Sequence, residues 1–526
     1  MRCLILSVII CYCSLYNGGA QDYIGQRYDR QRLIMPLLGP GCTNLDTANH
    51  VVINGVIFDF NADSLSVFPA DTFKKNAPVP YWTYFEGSQI CNKEGKLAAY
   101  FNGVELWDRN KNAMELDVFK YAYPSKPDIL IYNINGCMML PMPQGDHEYV
   151  LLGSDDFHYD PVYGVETGEQ ISAVYFTEGQ AGDLTVTRID SNLHHSKYTF
   201  NGIMQACRHA NGRDWWIACP KRRSKVFNMF LLDEQGVRFS HECLVSDTIF
   251  TDDDSPVFSP DGTWFSKTHV RHYSQYSKKN QIQFFHFDRC TGTFSDSYKF
   301  VLPYRDTMCV IQALFDATSR YCYIGACTSL FQIDMWAENI AASLVRVCDY
   351  DPMLRDAGIY NVIGGGFLAP DGKMYFFDAR NNFRTTVVHH PSEPGLACDA
   401  RYAAVLKPSC TGFGLGNMPD FNLGSLDGSP CDTLGLNSVA VRKVNDLQYA
   451  VLEISPNPAS GSATVFLPSA AGLLKISDIS GKIIRTMHTQ DFQMELEIEL
   501  PAGVYLLQYL STNQKIFTTG KLVMIR

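Results

Sequence analysis

One short stretch carries the side chains of an acid–base site. Within ACRHANGRDWWIAC (Ala206–Cys219), Arg208, His209, Asn211, Arg213 and Asp214 crowd between two apolar runs. A histidine paired with a carboxylate can move protons near neutral pH, and a neighbouring arginine can hold an anionic group. Two other stretches hold metal-binding residue types. GSDDFHYD (Gly153–Asp160) gathers Asp155, Asp156, His158 and Asp160 directly after an apolar run, and TDDDSP (Thr251–Pro256) sets three carboxylates side by side. The latter lacks the alternate oxygen spacing of a calcium loop, so a solvated connection is the better reading. The former is the best metal candidate in the chain, although an exposed loop fits its composition better than a metal site. His194-His195 and His389-His390 are adjacent pairs, and neighbours on a strand face opposite ways, so neither pair closes on one ion there. GxSxG, HExxH and P-loop motifs are absent, and GLGNMPDFNLG (Gly414–Gly424) lacks the strand-to-helix setting of a dinucleotide site. No cofactor is expected, and no residue is assigned a catalytic role.

The elements around ACRHANGRDWWIAC decide how it is read. SPDGTWF (Ser259–Phe265) and APDGKMYF (Ala369–Phe376) are near-copies, and FDATSRYCYIG (Phe315–Gly325) lies between them. ANGRDWWI, PQGDHEYVLL (Pro143–Leu152) and NKEGKLAAYF (Asn92–Phe101) have the same form: a polar turn with Gly or Asp, then an aromatic or apolar strand. Second hairpins follow at Ile171–Ile189, Lys225–Ser240 and Gln281–Asp296. Two hairpins per unit predict four-stranded antiparallel sheets repeating every ~50–60 residues, the signature of a β-propeller. Six units run from Tyr84 to Leu406. A hairpin at His50–Phe68 and the stretch Ser409–Leu434 remain, and joining the chain ends in one sheet would close the ring and remove exposed edges. Seven blades with a split closing blade are expected, with six or eight as alternatives. Met335–Val345 is the only longer helical stretch. Position in the repeat makes Arg208–Asp214 a blade turn whose side chains serve the backbone.

The totals agree with an exported globular chain. Of 526 residues 46% are hydrophobic and 19% charged, with a net charge of −11. Mean hydropathy is −0.11. The one dense cationic run, Lys221–Lys225, reads as an exposed turn, so nucleic-acid binding is not expected. No internal apolar run approaches the ~20 residues of a membrane helix. Residues 1–20, with an apolar run from Leu4 to Leu15 and a small-residue exit at Gly18 and Ala20, read as a secretory signal peptide cleaved before Gln21. Of 17 cysteines, three lie in that segment. The remaining even number is compatible with disulfides of open connectivity, and the absence of CxxC removes support for a zinc site.

The motifs FEGSQICNKEGKLAAYFNGVELWD, ACRHANGRDWWI, VFSPDGTWF, FHFDRCTGTFS, LFQIDMWAENIAAS and FLAPDGKMYF, in this order, resemble the secreted β-propeller proteins of Bacteroidetes-type bacteria, over about Asp46–Leu436. The resemblance implies a fold and an export route and no reaction. After a polar connector the texture changes to LEISPNPASGSATVFLP, LLKISDISGKIIRTM and ELPAGVYLLQYL, an all-β unit with hairpin signals. Pro456, Asn457, Pro458, Gly481, Gly503, Tyr505, Gly520 and Lys521 resemble the motifs of the type A C-terminal sorting domain of the type IX secretion system. That resemblance implies passage through the periplasm, recognition at the outer-membrane machinery, and removal of the domain with release or surface anchoring.

The expected protein is therefore all-β: a signal peptide (1–20), a β-propeller (21–435), a linker (436–450) and a small immunoglobulin-like sorting sandwich (451–526). It is expected in the medium or on the outer-membrane surface. Its partners are the type IX machinery and a protein or glycan ligand held by the loops of one propeller face. A hydrolase or lyase acting through the propeller channel and a structural surface component are the alternatives.

Overall fold

The computed structural model describes residues from 27 to 525. It leaves out 35–42, 46–50, 76–86, 119–135, 250–255, 270–280, 303–311, 350–362, 412–416, 435–451, 479–482 and 512–516, and several stretches of one to four residues. The signal-peptide reading, TDDDS and the linker fall outside these residues. The chain forms two compact units, Met1–Ser438 and Val439–Arg526.

In the first unit, six antiparallel meanders of four strands follow one another. The second sheet is Ser88–Cys91, Leu97–Phe101, Glu105–Asp108 and Ala113–Glu115. The third is Cys137–Pro141, Glu148–Asp160, Val165–Glu178 and Leu184–Phe200, and the fourth is Gln205–Arg208, Trp215–Pro220, Val226–Asp233 and Gly236–Leu244. The fifth is Val257–Phe258, Trp264–His269, Gln281–Asp288 and Thr293–Val301. The sixth is Gln312–Phe315, Tyr321–Ala326, Ser329–Asp334 and Val345–Asp349, and the seventh is Ile363–Leu368, Met374–Asp378, Asn382–Val388 and Ala400–Thr411. A first sheet of three strands, Gln31–Ile34, Val56–Asp59 and Ser66–Pro69, precedes them. Each sheet packs on the next, and strands of the seventh pack on the first. This is a β-propeller.

The inner strands are covered on both faces and read as continuous apolar runs, while outer strands such as Gly236–Leu244 and Thr293–Val301 expose residues along their length. All six residues of Trp215–Pro220 are buried. Trp215 joins the core shared with the second and third sheets, and Trp216, on the opposite face, joins the core shared with the fifth. In the latter, Phe227 packs edge-on against Phe265 and Phe285 at ring distances of 5.6 and 5.3 Å, a favoured aromatic geometry.

The repeated turn has one geometry in five sheets. The amides of Gly95, Gly212, Gly262, Ser319 and Gly372 donate to the carbonyls of Asn92, His209, Ser259, Asp316 and Ala369. All five donors have positive φ, from 60° to 83°, where glycine carries no Cβ penalty. Asp or Asn then ties the turn from within, as when Asn211 Oδ1 accepts from the amides of Arg213 and Asp214 at 3.0 Å.

Three expectations are corrected. The first sheet is built from the N-terminal side alone, and Ala400–Thr411 stays with its own meander. Among the described residues, 417–434 adds no strand to close a split blade. Instead it runs as a strap along the inner strands. The Asn417 amide donates to Gly87 O at 2.8 Å, and its side chain donates to Met204 O at 2.8 Å. Phe421 is wholly buried between Tyr28 and Trp215, and Leu426 N donates to Ala210 O. Cys431 is disulfide-bonded to Cys290, in the last turn of the fifth sheet. Second, 335–345 is no helix. It is a series of turns with one 3-10 turn, Ala341–Ser343, because Asp334 Oδ1 takes the Trp336 amide and Ser343 Oγ takes the Asp334 amide. Third, GSDDFHYD lies within Glu148–Asp160 and is paired with Val165–Glu178, so it is strand and no loop.

A test of the strap follows from two glycines of equal backbone geometry. A Cβ at Gly372 (φ +79°) would meet nothing within 4 Å, whereas one at Gly212 (φ +77°) would lie 2.7 Å from the Ser425 amide nitrogen. Gly372→Ala should cost about 1 kcal/mol from the backbone alone. Gly212→Ala should cost at least about 1 kcal/mol more, read as a lower denaturation midpoint. Equal costs would show that the strap does not press on this turn.

Candidate functional site

Arg208–Asp214 is wired as a turn. Asn211 Nδ2 donates to Asp214 Oδ2 at 2.7 Å, and Arg213 Nε donates to Asp214 Oδ1 at 2.7 Å. His209 Nδ1 accepts the Asn211 amide at 2.9 Å, and its ring lies 5.3 Å from that of Trp216. Burial lowers the pKa of His209 against the pull of Asp214, favouring the neutral ring that can accept this bond. Arg208 has no exposed surface. Its guanidinium lies 3.7 Å over the Trp215 ring and donates to Arg213 O at 3.1 Å and to Phe421 O at 3.4 Å. These polar groups are therefore engaged with backbone, with one another and with the strap.

The strap brings in residues that sequence reasoning passed over. Arg289 donates from Nε to Arg208 O at 2.9 Å and from Nη2 to Gly424 O, while its own carbonyl accepts from Trp216 Nε1 at 2.9 Å. Asn422 donates its amide to Asp420 Oδ1 at 2.7 Å and its side-chain nitrogen to Asp29 Oδ2 at 3.4 Å. Burial, reinforced by Asp29, pushes the Asp420 carboxyl up to about 6. Burial likewise raises Asp29, against Arg32 and Arg30. The only advance signals were the glycines of GLGNMPDFNLG and a lone downstream cysteine.

A carboxyl with a native pKa above its unfolded one binds its proton more readily when folded, so its charged form costs stability. For Asp420 that cost is complete above about pH 6 and fades toward pH 4. Asp420→Asn should therefore raise the melting temperature at pH 8 by roughly 2–6 °C, with the gain vanishing by pH 4. Thermal melts across pH check this, and a pH-independent difference would contradict it.

The metal candidates are not brought together by anything described. Along Glu148–Asp160, positions 156, 158 and 160 share one parity and 155 the other, and the side chains of Asp155, Asp156, His158 and Asp160 lie outside the described residues. No group of three or more metal-ligating side chains occurs among the described residues. His389 and His390 follow the strand Asn382–Val388, with ring centroids 6.5 Å apart. His194 stacks on Phe239 at 4.1 Å. Of the cysteines, Cys290–Cys431 is the one disulfide among the described residues, and eight others there are buried thiols.

The second unit is a sandwich of two antiparallel sheets. One comprises Glu453–Ser455, Ser462–Phe466 and Gln493–Glu497, and the other Ile483–Thr489, Gly472–Asp478, Gly503–Ser511 and Phe517–Met524. Alternation sends Leu474, Ile476, Tyr505, Leu507 and Tyr509 into one core with Val465, Leu496 and Leu522. The motif residues shape one end of it. Asn457, between Pro456 and Pro458, bridges the last strand: Nδ2 donates to Lys521 O at 2.6 Å, and Oδ1 accepts the Val523 amide at 2.9 Å. Ala459 then exchanges backbone bonds with Val523 and Ile525. A Cβ at Gly520 would lie 2.8 Å from Leu452 Cβ, so only glycine lets the strands approach. Tyr505 Oη caps Pro501 O at 2.8 Å, and Gly503 opens its strand. Gly481 lies outside the described residues.

The β-propeller is followed by a small sandwich with a Pro-Asn-Pro clasp on its last strand. Residues 453–525 match the family model of the secretion system C-terminal sorting domain, and the carboxy-terminal unit is a member of that family. No helix among the described residues is long and apolar enough to cross a membrane. The protein is one of the cell surface or the medium. A search of curated proteins finds no match. Among solved structures the chain is similar to PorZ, an essential surface component of the type-IX secretion system of Porphyromonas gingivalis: 9% identity over 91% of this chain and 69% of that one, TM-score 0.28. It is also similar to a candidate 6-phosphogluconolactonase of Bacteroides uniformis (12%, 76% and 98%, 0.34). A third is the soluble aldose sugar dehydrogenase of Escherichia coli (12%, 53% and 88%, 0.31). Likenesses this distant assign no activity.

The clasp gives a test. Asn457→Ala removes both side-chain bonds to the last strand, which, being exposed, should cost about 1 kcal/mol. Export should fall in step with the melting temperature. Undiminished stability would mean that the clasp is not structural.

Proposed function

We propose that this is an exported binding protein whose propeller holds an extracellular protein or glycan through the loops of one face, without catalysis. The observation that carries this reading is the strap. Phe421, with no exposed surface, sits against Tyr28 and Trp215, and Asn417 is bonded to the inner strands of the second and fourth sheets. The chain's own backbone thus takes the interior position that a channel enzyme would give its substrate. The acid–base candidates His209 and Asp214 are spent on the turn, and the buried Asp29 and half-buried Asp420 share Asn422. What remains for recognition is the outer rim and the connecting loops, the usual carriers of function on a rigid scaffold.

The export route completes the reading. Residues 1–20 act as a cleaved signal peptide, the linker 436–450 joins the propeller to the sorting domain, and type IX machinery of a Bacteroidetes-type cell reads that domain and removes it. The test is a glycan array and a protein pull-down with the full chain and its His209→Ala variant. A ligand bound equally by both is expected. A substrate turned over by the parent, and not by a folded His209→Ala protein, would replace this reading with the enzymatic one.

A further inference from the structure

On the propeller face that carries the first turns, the third and fourth strands of sheets two to five are joined by the short segments 109–112, 179–183, 234–235 and 289–292. Sheets six and seven instead use 335–344 and 389–399. These two long connections belong to neighbouring sheets, and the second is pinned onto the sixth sheet. Tyr323 Oη donates to Pro391 O at 2.8 Å, Gln332 Nε2 donates to Glu393 O at 2.8 Å, and Gly395 N donates to Gln332 Oε1 at 2.6 Å. Ser392 Oγ donates to Asp316 Oδ2 at 2.7 Å. Connecting loops are ordinarily the more mobile part of a fold, and here 389–399 is held by the buried side chains of Tyr323 and Gln332.

At this position Trp336 is 65% exposed. Its backbone is tied to the end of the strand Ser329–Asp334. Its amide donates to Asp334 Oδ1 at 2.9 Å, and Asp334 also takes Arg320 Nε and Nη2 at 3.1 and 2.8 Å. The Arg320 guanidinium in turn lies 5.5 Å from the indole centroid. Two donors of this cluster, Trp336 Nε1 and Arg320 Nη1, have no partner among the described residues. We propose that Trp336, Arg320 and Asp334 form a glycan-binding site, with a pyranose ring laid on the exposed indole and its oxygens accepting from the two donors. The inference rests on the binding reading above and names its ligand class and place.

The chemistry selects the ligand. An apolar side-chain surface would cover the indole and offer no acceptors to the two donors. A small anion would use the donors and gain nothing from the exposed ring face. A sugar ring offers both an apolar C–H face and oxygen acceptors a bond length or two away from it. Arg320 is already held on Asp334 by two bonds, which lowers the entropy it loses on binding.

The experiment is affinity electrophoresis of the full chain in gels cast with mannan, xylan, dextran or chondroitin sulfate, with indole fluorescence titrated in parallel. Retardation in at least one gel and a fluorescence change are expected. Trp336→Ala should weaken binding at least tenfold and Arg320→Lys several-fold, with unchanged melting temperatures. Leu244→Ala, which trims another exposed apolar residue on the fourth sheet, should bind as the parent does. Retardation that survives Trp336→Ala would overturn this site and leave a glycan-binding propeller standing. No retardation in any of the four gels would overturn the site as well. A protein captured in its place, and lost on Trp336→Ala, would assign the cluster to a protein partner.

Discussion

Arg208 has no contact with water, and three separate parts of the chain meet on it. Its guanidinium stacks on Trp215, donates to Arg213 in the first turn of its own sheet, and donates to Phe421 in the strap. Arg289 reaches in from the fifth sheet to the Arg208 carbonyl and to Gly424. A buried cation is costly unless it is hydrogen-bonded, so the bonds from Nη1 and Nη2 favour one arrangement of the turn and the strap. The surrounding aromatic packing supplies the bulk of the burial, and the arginine pair fixes its register.

Much of the propeller was legible because the fold repeats and the repeat is punctuated. A left-handed fourth residue in each turn makes glycine recur at 95, 212, 262 and 372, and an Asp or Asn side chain recurs to tie the backbone. Ser319 fills the same role with φ +60° and so blurs the pattern in the sixth sheet. The strap was illegible for the opposite reason. Asn417, Phe421 and Leu426 are held by contacts with residues more than two hundred positions away, in an irregular segment that no periodicity marks. GSDDFHYD was misjudged because its polarity reads as loop, while pairing with Val165–Glu178 continues the ladder regardless. Met335–Val345 has helical spacing, yet Asp334 and Ser343 claim the backbone amides first.

The sorting domain was the easiest part to read and has the plainest physics. Its motif residues are turn formers and close-approach glycines around a clasp, in a unit whose alternating strands pack one core of their own. The candidate binding cluster, by contrast, lies inside two motifs that carried no binding signal, FDATSRYCYIG and LFQIDMWAENIAAS. Asp334 ends a strand and Trp336 follows it by two positions, while Arg320, in the turn before Tyr321–Ala326, is brought to them by the meander.

The bond between Cys290 and Cys431 also settles how a mechanical pull would travel. A tug on the chain beyond residue 431 reaches Cys431 first and passes through the sulfurs into the fifth sheet. The hydrogen bonds of Asn417, Phe421 and Leu426 lie on the far side of that junction, inside a covalent ring spanning 141 positions. Tension from the carboxy-terminal side therefore loads a covalent bond and a sheet along its hairpin, and the noncovalent seam that seats Phe421 stays slack.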